Sequence, residues 1–170
     1  STHGYGYATY IWRSFDQGNS WQNTTDFLVA SGVNTIACPS NHPDTVLINV
    51  RNASNGTTQG IYQSVDAGNT WNLSNFSPNN LGWGGLGDNS KIHKITYHPT
   101  IHNLVFIGTS NGLYRSTDGL QSWTQLLPST DIVDVAFHPT DPSVVYLYDT
   151  YYWGCLLYTS DAADDLVRVD

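Results

Sequence analysis

Short apolar runs recur along the chain at matching places in a longer pattern. Thr45-Val46-Leu47-Ile48, Leu104-Val105-Phe106-Ile107 and Val144-Val145-Tyr146-Leu147 are nearly continuous in apolar character. Such runs predict strands covered on both faces. Each follows a β-rich segment that stops at a proline: Val33-Asn34-Thr35-Ile36-Ala37-Cys38-Pro39, Ile95-Thr96-Tyr97-His98-Pro99 and Val135-Ala136-Phe137-His138-Pro139. Proline cannot donate to a ladder, so it marks the strand end. Ile61-Tyr62 and Leu113-Tyr114, like Ile11-Trp12 upstream, read as the close of a third strand. The predicted unit is strand A, a proline turn, strand B, a glycine-containing loop, strand C, a polar turn and strand D.

The polar turn is itself a repeat. Ser14-Phe15-Asp16-Gln17-Gly18-Asn19-Ser20-Trp21 returns as Ser64-Val65-Asp66-Ala67-Gly68-Asn69-Thr70-Trp71. It returns once more, altered, as Ser116-Thr117-Asp118-Gly119-Leu120-Gln121-Ser122-Trp123. The first serines lie 50 and 52 residues apart, a period that belongs to repeat architectures. Asp and Ser side chains bond the backbone of a tight turn. Gly18 and Gly68 suit a left-handed position. Each Trp is large enough to anchor its hairpin on the sheet below.

All 14 acidic residues are Asp, and six Lys and Arg leave a net charge of −8. That balance argues against a nucleic-acid partner, which needs many cationic phosphate contacts. No run of 18 apolar residues is present, so no membrane span is expected. The two cysteines, Cys38 and Cys155, form no metal-type spacing, and Cys38 reads as a small buried thiol. The six histidines form no metal set, and His98 and His138 are repeat-equivalent at the proline turns. No cofactor and no metal are expected.

The pattern S-x-D-x-G-x-[ST]-W resembles the Asp-box, or BNR repeat, of the sortilin-like, xyloglucanase-like and sialidase-like β-propellers. The resemblance covers the three octapeptides and the repeat around them. It implies an all-β fold: an incomplete β-propeller of four-stranded antiparallel blades, about three to four blades of a larger ring. The expected partial propeller spans 1–154, with blades at about 1–32, 33–73, 91–130 and 131–154. The resemblance also implies that Ser14, Asp16, Gly18, Trp21, Ser64, Asp66, Gly68, Trp71, Ser116, Asp118 and Trp123 brace hairpins on the rim and do no chemistry.

Residues 155–170 leave the pattern. Thr159-Ser160-Asp161 can be aligned with an octapeptide start, but Asp165 and Leu166 stand where the hydroxyl residue and Trp belong. The run from Cys155 to Asp165 resembles translated sequencing-adapter read-through, which makes 155–170 a non-native or disordered tail. The alternative is a decayed fourth octapeptide.

Glycoside hydrolysis needs two carboxyl groups flanking one bond. Xyloglucanase-like propellers carry an Asp in the loop between strands B and C, within a pattern near T-D-x-G-G-x-Y-R. The matching stretch is Thr109-Ser110-Asn111-Gly112-Leu113-Tyr114-Arg115, with Ser110 in the acid's place. Asp149 falls in such a loop, and Asp134 lies on a strand A. These are the candidate catalytic residues. Sialidase chemistry is excluded for this segment, since its Tyr nucleophile works with a Glu and there is none. Trp83, flanked by glycines in the irregular stretch Ser74–Lys91, is a candidate ligand-binding aromatic, as are Tyr148, Tyr151 and Trp153. The reading is a fragment of a secreted, extracellular or periplasmic propeller, non-catalytic as it stands. It binds a polysaccharide or an extracellular protein. The alternative is part of a xyloglucanase-like glycoside hydrolase whose acids lie mostly in blades outside this chain.

Overall fold

A computed structural model describes residues 9–25, 31–40, 42–52, 58–76, 91–128, 130–150, 156–159 and 167–168. Strands β1 (Trp12–Arg13) and β2 (Gln22–Asn23) form a two-stranded sheet. Strands β3 (Ser31–Ala37), β4 (Val46–Asn52), β5 (Thr58–Ser64) and β6 (Asn72–Leu73) form the second sheet. The third contains β7 (Ile92–Tyr97), β8 (Val105–Thr109), β9 (Gly112–Ser116) and β10 (Thr124–Pro128). The fourth contains β11 (Ile132–Phe137), β12 (Val144–Asp149), β13 (Leu156–Thr159) and β14 (Val167–Arg168). Each four-stranded sheet is an antiparallel meander in chain order, and no helix occurs among the described residues. Within 155–170 the described residues 156–159 and 167–168 belong to the last sheet: β13 pairs with β12, and β14 with β13.

Successive sheets stack face to face, and each interface has its own apolar core. Ile11 packs with Ile48 and Val50 between the first and second sheets. Leu47 and Ile61 meet Ile92, Ile95 and Ile107 between the second and third. Phe106 and Leu113 meet Ile132, Val135 and Val145 between the third and fourth. Strand β8 is buried at every position, as its apolar run predicts. Strands β3, β7 and β11 contact one another across sheets, so the first strand of each sheet lines the inner edge of the stack.

The first pair of strands carries a register shift in all three four-stranded sheets, at Val33/Ile36, Ile92/Lys94 and Ile132/Asp134. A bulge bends its strand and alters which way side chains face. At the third-to-fourth interface the approach is close. A Cβ on Gly108 would lie 2.7 Å from the Ile132 carbonyl oxygen, so only glycine fits there. At the equivalent rung of the second sheet Asn49 takes this place, and its amide donates to Ile92 O at 3.4 Å.

The proline turns explain the repeated histidines. The His98 Nδ1 accepts hydrogen bonds from the Thr100 and Ile101 amides at 3.2 and 3.0 Å. His138 does the same for Thr140 and Asp141 at 3.3 and 3.1 Å. Burial lowers the His98 pKa, partly countered by its bond to the Pro142 backbone across the interface. Cys38, read from sequence as a buried thiol at this position, is instead exposed. At the same repeat position the larger His98 is buried, so strand alternation alone does not set the exposure.

Candidate functional site

The octapeptides are closed hydrogen-bond loops. Ser64 Oγ donates to Asp66 Oδ1 at 2.8 Å and accepts from the Gly68 amide at 2.7 Å. Asp66 Oδ1 accepts from the Thr70 amide at 2.8 Å, and Oδ2 from the Thr70 hydroxyl at 2.6 Å. Ser14–Asp16–Ser20 repeats these contacts at 2.8, 2.8 and 2.6 Å. In the third copy Ser116 donates to Asp118 at 2.9 Å, and Asp118 accepts from the Ser122 amide at 2.9 Å. The hydroxyl and amide four residues on hold each carboxyl at a pKa of about 2. These acids are turn braces held ionised, with their oxygens already engaged.

The tryptophans differ among copies. Trp71 is half-buried, with Nε1 donating to Gly68 O at 3.1 Å. Trp21 makes the same bond to Gly18 O at 3.0 Å but is 58% exposed. Trp123 packs against the core beside Phe76, ring centroids 4.5 Å apart. Anchoring on the sheet below, expected of all three, is therefore strong only at Trp123 and partial at Trp71.

The polar chemistry gathers on the inner edge. Between the second and third sheets, Asn34 Nδ2 donates to Ile92 O at 2.5 Å and Asn49 Nδ2 to Asn34 Oδ1 at 2.6 Å. Between the third and fourth, Lys94 Nζ lies 2.9 Å from Asp134 Oδ1. His93 Nε2 lies 2.9 Å from Asp131 Oδ1, yet the pair is not aligned as a hydrogen bond. Asp131 Oδ2 accepts from the Thr150 hydroxyl at 2.8 Å, and Asp131 O from the Thr150 amide at 3.1 Å. The result is a cross-sheet chain of imidazole, carboxylate and hydroxyl, flanked by an exposed ammonium–carboxylate pair.

Of the sequence candidates, Asp134 joins this cluster, held by Lys94 and by the Val135 amide at 2.9 Å. Asp149 ends β12 opposite Ile132, one rung from the Asp134–Tyr148 pair. Among the described residues nothing hydrogen-bonds its carboxylate. The two acids are not joined in one constellation. Tyr148 is 60% exposed, on the rung that Asn49 and Gly108 occupy in the preceding sheets. Trp83, Tyr151 and Trp153 lie outside the described residues. No group of three metal-ligating side chains occurs among the described residues. The Asp131–Thr150 pairing was missed from sequence. The repeat carries its signal, because Lys91 and Ser110 hold the same backbone contact one unit earlier.

No protein-family description and no curated protein matches the chain. Solved structures do. The GH74 xyloglucanase from Xanthomonas campestris superposes with a TM-score of 0.64 at 18% identity, over 93% of this chain and 27% of that one. An ancestral GH74 enzyme gives 0.61 at 19%, over 96% and 20%. YCF48 bound to a D1 peptide gives 0.55 at 12%, over 91% and 50%. The chain folds as an incomplete β-propeller. It spans between a fifth and a half of the length of these structures. At such identities the likeness establishes the fold, and fold alone does not assign an activity. Among the described residues, no helix is long and apolar enough to cross a membrane.

Proposed function

We propose that this propeller segment belongs to a secreted protein and binds a glycan at the inner edge, without cleaving it on its own residues. The observation that carries the reading is the cross-sheet cluster of His93, Lys94, Asp131, Asp134 and Thr150. It presents donors and acceptors of both kinds on a rigid strand framework, which suits a polyhydroxylated ligand. Asp134 is matched to Lys94, so it does not stand as a free acid facing a partner carboxylate across a scissile bond. The GH74 neighbours support a polysaccharide as the ligand class.

The test is calorimetric titration with xyloglucan oligosaccharides, together with a reducing-sugar assay. Binding that weakens in Lys94→Ala and Asp131→Ala, with no sugar released, is expected. Absence of binding at millimolar oligosaccharide would sink the glycan reading. A second reading is a hydrolase parent. Asp149 favours it, since it sits at the B–C turn position and its carboxylate has no bond to a described residue. Loss of turnover in Asp149→Asn of a longer parent protein would select that reading.

A further inference from the structure

We propose that His42 and His102 form a zinc site that ties the proline turn of the second sheet to that of the third. Both are exposed, and each lies three residues beyond the proline that follows the first strand of its sheet, Pro39 and Pro99. They are 60 residues apart in the chain, so no metal-type spacing signals them. The fold brings their rings to a centroid separation of 5.4 Å, with the planes at 72°. The next repeat has Pro142 at this position, so the turns of the third and fourth sheets cannot form such a pair.

The backbone that carries the two rings is held in place by its own bonds. The Thr45 amide donates to His42 O at 2.9 Å. The Ile101 amide, next to His102, donates to His98 Nδ1 at 3.0 Å. Ser40 Oγ donates to Pro99 O at 2.9 Å and so bonds one turn directly to the other. Only the imidazole torsions remain soft, and the outer torsion of a histidine is broad enough to aim a nitrogen at a shared point. A framework set in advance lowers the ordering cost of binding.

The ring separation selects the ion. A zinc–imidazole bond is about 2.0–2.1 Å, and the ring centre lies about 1 Å beyond the nitrogen, so the ion sits about 3.2 Å from each centroid. Two imidazoles at the tetrahedral angle then have centroids about 5.2 Å apart, and two at a right angle about 4.5 Å. The observed 5.4 Å matches the tetrahedral case, the geometry of zinc, and not the square-planar case of Cu(II) or Ni(II). The net charge of −8 favours the approach of a cation. No group of three metal-ligating side chains occurs among the described residues, so water or an external donor takes the other two positions. The ion is therefore exchangeable, and it acts as a clip between two sheets.

The experiment is calorimetric titration of the full, chelator-treated chain with zinc chloride, wild type against His42→Gln and His102→Gln, with thermal midpoints measured in parallel. Wild type should bind one Zn²⁺ and melt higher in its presence, because the ion favours the folded chain. Each variant should bind about tenfold more weakly or worse and lose the rise in midpoint, since a lone imidazole forfeits the high effective concentration of the second. The imidazole nitrogen resonances of His42 and His102 should shift together in wild type, a reading that needs no variant to fold. A wild type with no saturable binding up to about 1 mM zinc, the limit of weak affinity, overturns the proposal. So do variants that bind like wild type, or zinc that moves other histidine resonances and leaves these two unchanged.

Discussion

The Arg13 guanidinium reaches Asn69, 56 residues along the chain, and donates Nη2 to its Oδ1 at 2.7 Å. Nη1 bonds Ala67 O in the same turn. One side chain thereby fastens the first sheet to the octapeptide of the second, and the contact is partly shielded from water. Arg13→Ala is expected to destabilise the chain by about 1.5–3 kcal/mol in urea denaturation, the range for hydrogen bonds involving a charged group. A double-mutant cycle with Asn69→Ala should show positive coupling. Additive losses would mean that Arg13 acts through packing on Phe15, 4.8 Å below its guanidinium carbon.

The octapeptide carboxylates make the fold sensitive to acid. Asp16, Asp66 and Asp118 titrate at about 2 in the folded chain, against an ordinary value of 3.8. A depressed folded pKa contributes stability that is present above the unfolded value and lost as pH falls through the folded one. Thermal midpoints should therefore fall between about pH 4 and pH 2, and Asp66→Asn should flatten part of that slope. An unchanged slope in the triple Asp→Asn variant would show that the braces are not titrating there.

The turns were legible because their chemistry is local: Ser, Asp and the next hydroxyl lie within seven residues, so spacing alone sets the bonds. Strand B was legible because burial on both faces leaves a continuous apolar run, as in Val105–Thr109. The inner-edge site was not. Lys94–Asp134 and His93–Asp131 join different sheets, and the bulges after Ile92 and Ile132 shift the side-chain alternation that a sequence pattern assumes. The fate of Cys38 shows the same limit. Its repeat partner His98 is buried beside Phe137, ring centroids 4.9 Å apart, whereas Cys38 is exposed.

The three octapeptide tryptophans should rank by packing, not by motif. Trp123→Ala removes a ring seated on Phe76 and should cost about 3–5 kcal/mol. Trp71→Ala should cost less, about 2 kcal/mol, since roughly half of the burial behind a full Trp loss is present. Trp21→Ala should cost under about 1 kcal/mol, as surface substitutions do. Urea midpoints of the three variants check the order. Losses at Trp21 and Trp71 that match each other and exceed the loss at Trp123 would show that the indole-to-glycine bond, absent at Trp123, dominates over burial.

Leu120 sets two effects against each other. It stands where the other copies have Gly18 and Gly68, and it keeps their left-handed backbone, φ 79 against 91 and 86. A non-glycine residue there is strained by about 1–2 kcal/mol. Yet Leu120 is 3% exposed and belongs to the core between the second and third sheets. Removing a buried leucine side chain costs about 2–5 kcal/mol, including the cavity left behind. The burial term is the larger, so Leu120→Gly should destabilise by about 1–3 kcal/mol despite relieving the strain. The reciprocal Gly68→Leu meets strain with little gain, because a Cβ there already touches Trp71 at 3.4 Å and Thr24 at 3.5 Å. It should destabilise as well. Chemical denaturation of both variants decides the matter, and a Leu120→Gly chain more stable than wild type would show that backbone strain outweighs the core contact.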